Sequence, residues 1–283
     1  MLVDAFASDW LDELDRLASD SSDARLMLDG AFCPGLHRAI RACLRSDASV
    51  GFLFESLPSC NDESRDVSPF VFSHEPGNLS LARQLARCNG WPMVHCIRTQ
   101  ESPASLAARL GAWCAVDADG QRFNLRFPDT RRLQGICAWL ADRQRRDMFG
   151  PATRWSYVGR DGRWADLNIG CAGPGLVEGP ASNHFGCPQL DASQFASMVD
   201  DGEVDALMFV LQERGTDWLG RHSQVYGVVE SALALARRAG LDSSSTGEWC
   251  EACVEHPSWV AEAPASLKRW ESQQSESVIA SAS

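Results

Sequence analysis

The sequence predicts an α/β fold: a mixed sheet with flanking helices in an N-terminal lobe, followed by a mostly α-helical C-terminal lobe. Three observations lead there. Up to Leu167, short apolar runs of strand length alternate with segments of helical period. Two pairs of these runs flank hairpin-type turns, Asp117-Ala118-Asp119-Gly120 and Arg160-Asp161-Gly162, so the sheet cannot be purely parallel. Past Leu167 strand signals stop, and after a Gly- and Pro-rich stretch only helical patterns remain.

The elements follow in order. An acidic amphipathic leader predicts a helix over 8–18, and ARLMLDGAF (24–32) predicts a strand ending at the turn-prone pair Asp29-Gly30. Pro34 opens a helix in which Leu36, Ile40 and Leu44 recur at helical spacing. The run SVGFLFESL (49–57) is a buried strand, the polar PSCNDESRDVS a loop, and PFVFS (69–73) a short strand. A helix near 78–89 stops at Asn89-Gly90, and WPMVHCIRT (91–99) is a further strand. Ser102 caps the next helix, with Pro103 in the first turn, where a missing N–H costs nothing. AWCAV and RFNLRF form one hairpin, 129–147 a helix with Leu133, Ile136, Cys137 and Leu140 inward, and RWSYVG with RWADL a second hairpin. Helices are expected over 191–200, 203–214, 217–239, 247–256 and 257–272, with a frayed ESVIASAS end. The organisation is therefore a leader (1–23), an α/β domain (24–167), a Gly/Pro-rich linker (168–190) and an acidic helical lobe (191–283).

Composition narrows the class. At 283 residues, with 45% apolar and 23% charged side chains, the chain can bury a sizeable core. No apolar run approaches the roughly 20 residues of a membrane span, and the acidic start lacks the pattern of a signal peptide, so a cytoplasmic protein is expected. Eleven scattered cysteines, mostly inside apolar runs, read as small core hydrophobes of a reducing compartment. Residues 1–164 carry 20 Arg against 21 acidic residues, a net of −1, while residues 165–283 carry 6 basic against 17 acidic, a net of −11. Asp200, Asp201, Glu203 and Asp205 form the densest acidic run. Such a face repels phosphate backbones and disfavours nucleic acid, leaving either a solvating surface or one that steers a basic partner.

No constellation for catalysis assembles from spacing. Cys250-x2-Cys253 with His256 is the best metal candidate, but zinc wants four ligands and no second pair completes the set; in a helix the three positions also read as a buried seam. There is no Gly-x-Ser-x-Gly elbow, GxGxxG or P-loop lysine. His37, His74, His95, His184, His222 and His256 are dispersed, and Asp117 with Asp119 sits in a turn where carboxylates bond backbone N–H groups. No catalytic, cofactor-binding or metal residue is therefore assigned.

The stretch LRFPDTRRL (125–133) concentrates charge. Pro128 ends the strand, and Asp129 can cap the following helix and favour its positive end. If Leu125 and Phe127 point inward, Arg126 on the same strand faces away and needs a carboxylate partner. The passage reads as the fittings of a strand-to-helix turn in preference to a catalytic pocket.

The ordered set LMLDGAF, FLFESLP, LRFPDTRRL, MFGPATRW and DGRWADL resembles the effector adaptor family of bacterial type VI secretion systems, the Tap or Tec chaperones. The resemblance covers residues 25 to about 167. Its signature falls on Asp29, Gly30, Arg126, Phe127, Asp129, Phe149, Gly150, Pro151, Trp155 and Trp164, as structural or partner-binding residues. Two positions depart: members often carry an aromatic residue where this chain has Pro128, and a glycine where it has Ser56. The resemblance implies a cytoplasmic, non-enzymatic adaptor that binds a secreted effector and helps load it onto the VgrG spike protein. An effector surface is then expected across the junction of the α/β and helical parts. Arg and Trp suit such a role as interface anchors. The alternatives are an immunity protein that blocks a toxin and an α/β hydrolase with an unrecognised site.

Overall fold

The computed structural model describes residues 3–19, 23–45, 49–57, 60–170, 187–216 and 220–281, with side chains to residue 274. The linker residues 171–186, including His184, and residues 217–219 lie outside the described set. Two compact units divide between Val199 and Asp200.

The first unit is built on a six-stranded sheet. Its strands are β1 (Ala24–Leu28), β2 (Val50–Phe52), β3 (Phe70–Ser73), β4 (Val94–Arg98), β7 (Arg154–Val158) and β8 (Trp164–Asp166), ordered β2-β3-β1-β4-β7-β8. Every pairing in it is antiparallel. A small second sheet holds β5 (Ala115–Ala118), β6 (Gln121–Asn124) and β9 (Gln189–Leu190), and the β5–β9 pair supplies the parallel component of the expected mixed architecture.

Both faces of the large sheet are covered, which is why its strands read as continuous apolar runs and not as alternating ones. Leu26, Leu28, Phe70, Phe72, Val94 and Cys96 face one layer, with α1 (Trp10–Ser19), α2 (Leu36–Cys43) and α4 (Leu79–Leu85) packed there. Met27, Val71, Ile97, Trp155 and Tyr157 face the other, beneath α5 (Pro103–Gly111), α6 (Thr130–Trp139) and α7 (Asp142–Phe149). The alternation along each strand is the period-two consequence of the pleat.

Local signals hold where the physics is local. Ser102, Asn78 and Asp129 cap α5, α4 and α6 with side-chain oxygens, each accepting a backbone N–H of the first turn. The hairpin turn between β5 and β6 puts Asp119 at φ 51° and Gly120 at φ 74°, the left-handed pair a two-residue loop requires.

Other expectations change. The 24–32 run leaves the strand at Leu28 and becomes a 3-10 turn over Gly30–Phe32, capped by Asp29. The 49–57 run turns likewise after Phe52. The polar loop contains α3 (Asp62–Val67), because Asn61 accepts the Ser64 N–H and starts a helix. The single helix expected over 129–147 is two, separated by the extended residues Leu140 and Ala141. The helices expected over 191–200 and 203–214 are one, α8 (Ala192–Glu213), which runs through Gly202. A mid-helix glycine costs about 1 kcal/mol, which burial of Val204, Met208 and Leu211 offsets.

The second unit is helical. It contains the later part of α8, then α9 (His222–Ala239), α10 (Ser243–Glu255), α11 (Ser258–Ala261) and α12 (Ala265–Ser281). The last helix includes most of the segment expected to fray. Its core centres on Trp249, whose Nε1–H donates to the Ala232 carbonyl at 3.0 Å while Trp259 and Trp270 pack on the ring. Arg237 joins Asp200 and Glu203 of the acidic run in ion pairs.

Candidate functional site

The charges of LRFPDTRRL are tied to partners far away in sequence. The strand β6 ends at Asn124, so Arg126 stands just past it and not on a strand as the pattern predicted. Its Nη2 donates to Asp29 Oδ2 at 2.8 Å, and its guanidinium lies 5.7 Å from the centre of the Phe32 ring. Asp29 is only 1% exposed, and its Oδ1 accepts the Ala31 N–H. Burial pushes the Asp29 carboxyl above its ordinary value, with Arg126 opposing the shift. Asp29 follows β1 directly, and Gly30 beside it passes so close to the Ser68 carbonyl that a Cβ would collide with that oxygen.

Asp129 is nearly buried and does two jobs. Its Oδ1 accepts the Arg131 N–H at 3.1 Å, and its Oδ2 accepts from Arg131 Nη2 at 2.6 Å. Phe127 between the two charged positions is fully buried in the core under α6.

The next link was not legible in sequence. The Pro128 carbonyl accepts a hydrogen bond from His95 Nε2 at 2.8 Å, and Trp155 Nε1–H donates to His95 Nδ1 at 3.1 Å. A Trp N–H can only donate and a carbonyl can only accept, so His95 is the neutral Nε2–H tautomer. Burial pushes its pKa down to about 4. Phe149 packs edge-on against Trp155 with ring centres 5.4 Å apart. Seven of the ten signature residues, from Asp29 to Trp155, thus form one connected assembly around the ends of β1 and β4. Gly150 ends α7 against the Arg109 side chain and Pro151 is exposed. Trp164 lies apart, donating its Nε1–H to the Trp10 carbonyl of α1.

A cavity of about 230 Å³ opens beside this assembly, lined by Asp29, Phe54, Cys114, Asn124 and Arg126. Burial holds the Cys114 thiol up at about 12, so it is protonated at neutral pH. A larger groove of about 900 Å³ lies at the far edge of the sheet, beside β2. His37, Arg38 and Arg41 of α2 form one side of it, Ala104 and Ala108 of α5 the other, with Val50 and Phe52 between them. In sequence His37 is one of six dispersed histidines, Val50 and Phe52 are part of an apolar run, and the arginines three apart on α2 carry no motif.

The remaining candidates resolve into structure. Cys250 and Cys253 are buried in the helical core with thiols pushed up to about 12, and His256 stands exposed against the Trp259 ring. Among the described residues no group of three or more His, Cys, Asp or Glu side chains is placed to hold a metal ion. Asp117 Oδ1 accepts the Gly120 N–H at 3.3 Å, as a turn carboxylate does. His74 is paired with Asp15 at 2.6 Å. Among the described residues no helix is long and apolar enough to cross a membrane.

No curated protein and no solved structure matches the chain. Residues 26–147, from β1 into α7 and including Asp29, Gly30, Arg126, Phe127 and Asp129, match the family model described as Domain of unknown function (DUF4123).

Proposed function

We propose that this protein is a non-enzymatic, cytoplasmic adaptor that binds a type VI secretion effector and promotes its loading onto the VgrG spike. The segment matching DUF4123 carries half of the residues on which the resemblance to type VI adaptors rests. The observation that carries the reading is the state of the charged side chains in that segment. Asp29 is spent on Arg126 and a turn N–H, Asp129 on Arg131 and a helix cap, and His95 is held neutral between two buried partners. Groups so engaged stabilise a scaffold, which supports a binding role for this segment.

The test is genetic and biochemical together. Deleting the gene in its native host should abolish delivery of one effector while leaving sibling cells healthy, and the full chain should co-purify with that effector. Sibling death on deletion, or rescue of cells poisoned by the effector, would identify an immunity protein. Substrate turnover that is lost on replacing one histidine or Asp129 would identify an enzyme.

A further inference from the structure

The groove beside β2 has a feature that a merely concave surface lacks: main-chain donors along its floor that have no partner among the described residues. Among the described residues, strand β2 is an edge of the sheet, hydrogen-bonded to β3 with Val50 opposite Phe72, Gly51 opposite Val71 and Phe52 opposite Phe70. The Leu53 N–H donates to the Pro69 carbonyl at 2.9 Å, which sets the phase of the ladder. Antiparallel pairs alternate between bonded and non-bonded, so Gly51 shares Val71 while the N–H groups of Val50 and Phe52 point outward into the groove.

The walls suit a strand. On one side the His37 ring packs edge-on against Phe52 with centres 5.0 Å apart. On the other, α5 lies so close to Gly51 that a Cβ there would collide with the Pro103 carbonyl, and the exposed Ala104 and Ala108 leave that wall low. Proteins commonly protect an edge strand with charge, proline or a covering element. Here two helices flank the edge, and no described element covers it. The rim charge has one sign to spare. Arg38 is paired with Asp66 and Arg65 with Glu55 and Asp62, whereas Arg41 is exposed and has no carboxylate partner among the described residues.

We propose that this groove takes an extended segment of a partner protein as a seventh strand beside β2, with a carboxylate side chain of that segment meeting Arg41. Strand addition draws affinity from main-chain hydrogen bonds and specificity from alternate side chains. The alternation here calls for an acidic residue on the α2 side and a β-branched apolar residue on the alanine side. The proposal rests on the adaptor reading only for the partner's identity, since the groove's chemistry can be measured without it.

The probe is a set of capped ten-residue peptides alternating valine with Glu, Gln or Lys, added to the full-length protein. Expected are slowed hydrogen exchange at the Val50 and Phe52 amides and binding of the Glu peptide about tenfold tighter than the Lys peptide. Arg41→Glu should reverse that order, and Ala108→Trp, an exposed position, should abolish binding with the fold intact. Binding by no peptide at millimolar concentration, binding without protection of those two amides, or indifference to Ala108→Trp would each overturn the proposal. So would protection of the same amides by self-association without peptide, which would make a second copy of the chain the occupant. If the Ala108→Trp protein still captured the effector fully, the groove proposal would fail while the adaptor reading stood.

Discussion

Replacing His95 by glutamine should flatten the response of stability to acid. The ring is wholly buried between the Pro128 carbonyl and the Trp155 indole, and its pKa lies at about 4. The unfolded chain returns it to about 6.5. The folded value is the lower one, so the unfolded state takes up the proton first. The neutral ring's contribution is intact above pH 6.5 and is lost as pH falls from there toward 4. Between pH 7 and pH 5 this single group should remove about 2 kcal/mol of folding stability. Urea unfolding of wild type and His95→Gln at both pH values isolates it, because His37 and His74, whose pKa values burial also lowers, are common to both proteins. Wild type should lose about 2 kcal/mol more than the variant over that interval. An equal loss, or an imidazole resonance assigned to His95 titrating near pH 6.5 in the folded protein, would refute the burial argument.

Three further outcomes can be measured on the purified chain. Arg126→Ala leaves the buried Asp29 carboxylate without its counter-charge and should cost about 1–3 kcal/mol, part of which Asp29→Asn in the same protein should restore; denaturant midpoints of the double-mutant cycle read the coupling. Gly30→Ala drives a methyl into the Ser68 carbonyl and should cost about 1–3 kcal/mol, seen as a lower midpoint, although the residue is a small one in a turn. Trp249→Ala empties the centre of the helical unit and removes a buried hydrogen bond, so a loss of about 3–5 kcal/mol is expected. Near-ultraviolet circular dichroism should then show unfolding of that unit at lower denaturant than in wild type.

What the sequence by itself determined is what depends on neighbours within a few positions. The caps by Ser102 and Asp129, the Asp119-Gly120 turn, the apolar strands and the helical character after Leu190 all follow from interactions spanning at most four residues, whereas β9, inside the expected linker, does not. The α/β class followed because buried strands and amphipathic helices carry different periods. Tertiary structure decided where such signals were silent or in conflict. Packing carried α8 through Gly202 and split the 129–147 helix at Leu140, whose side chain is buried in the core while its backbone is extended. It also chose the partners of the candidate site. Asp29 meets Arg126 across 97 positions and His95 meets Trp155 across 60, distances over which no periodicity informs. The open edge at β2 belongs to the same class of fact. Which strand of a sheet lies outermost is settled by the order in which distant segments pair, and no short stretch of chain encodes that order locally.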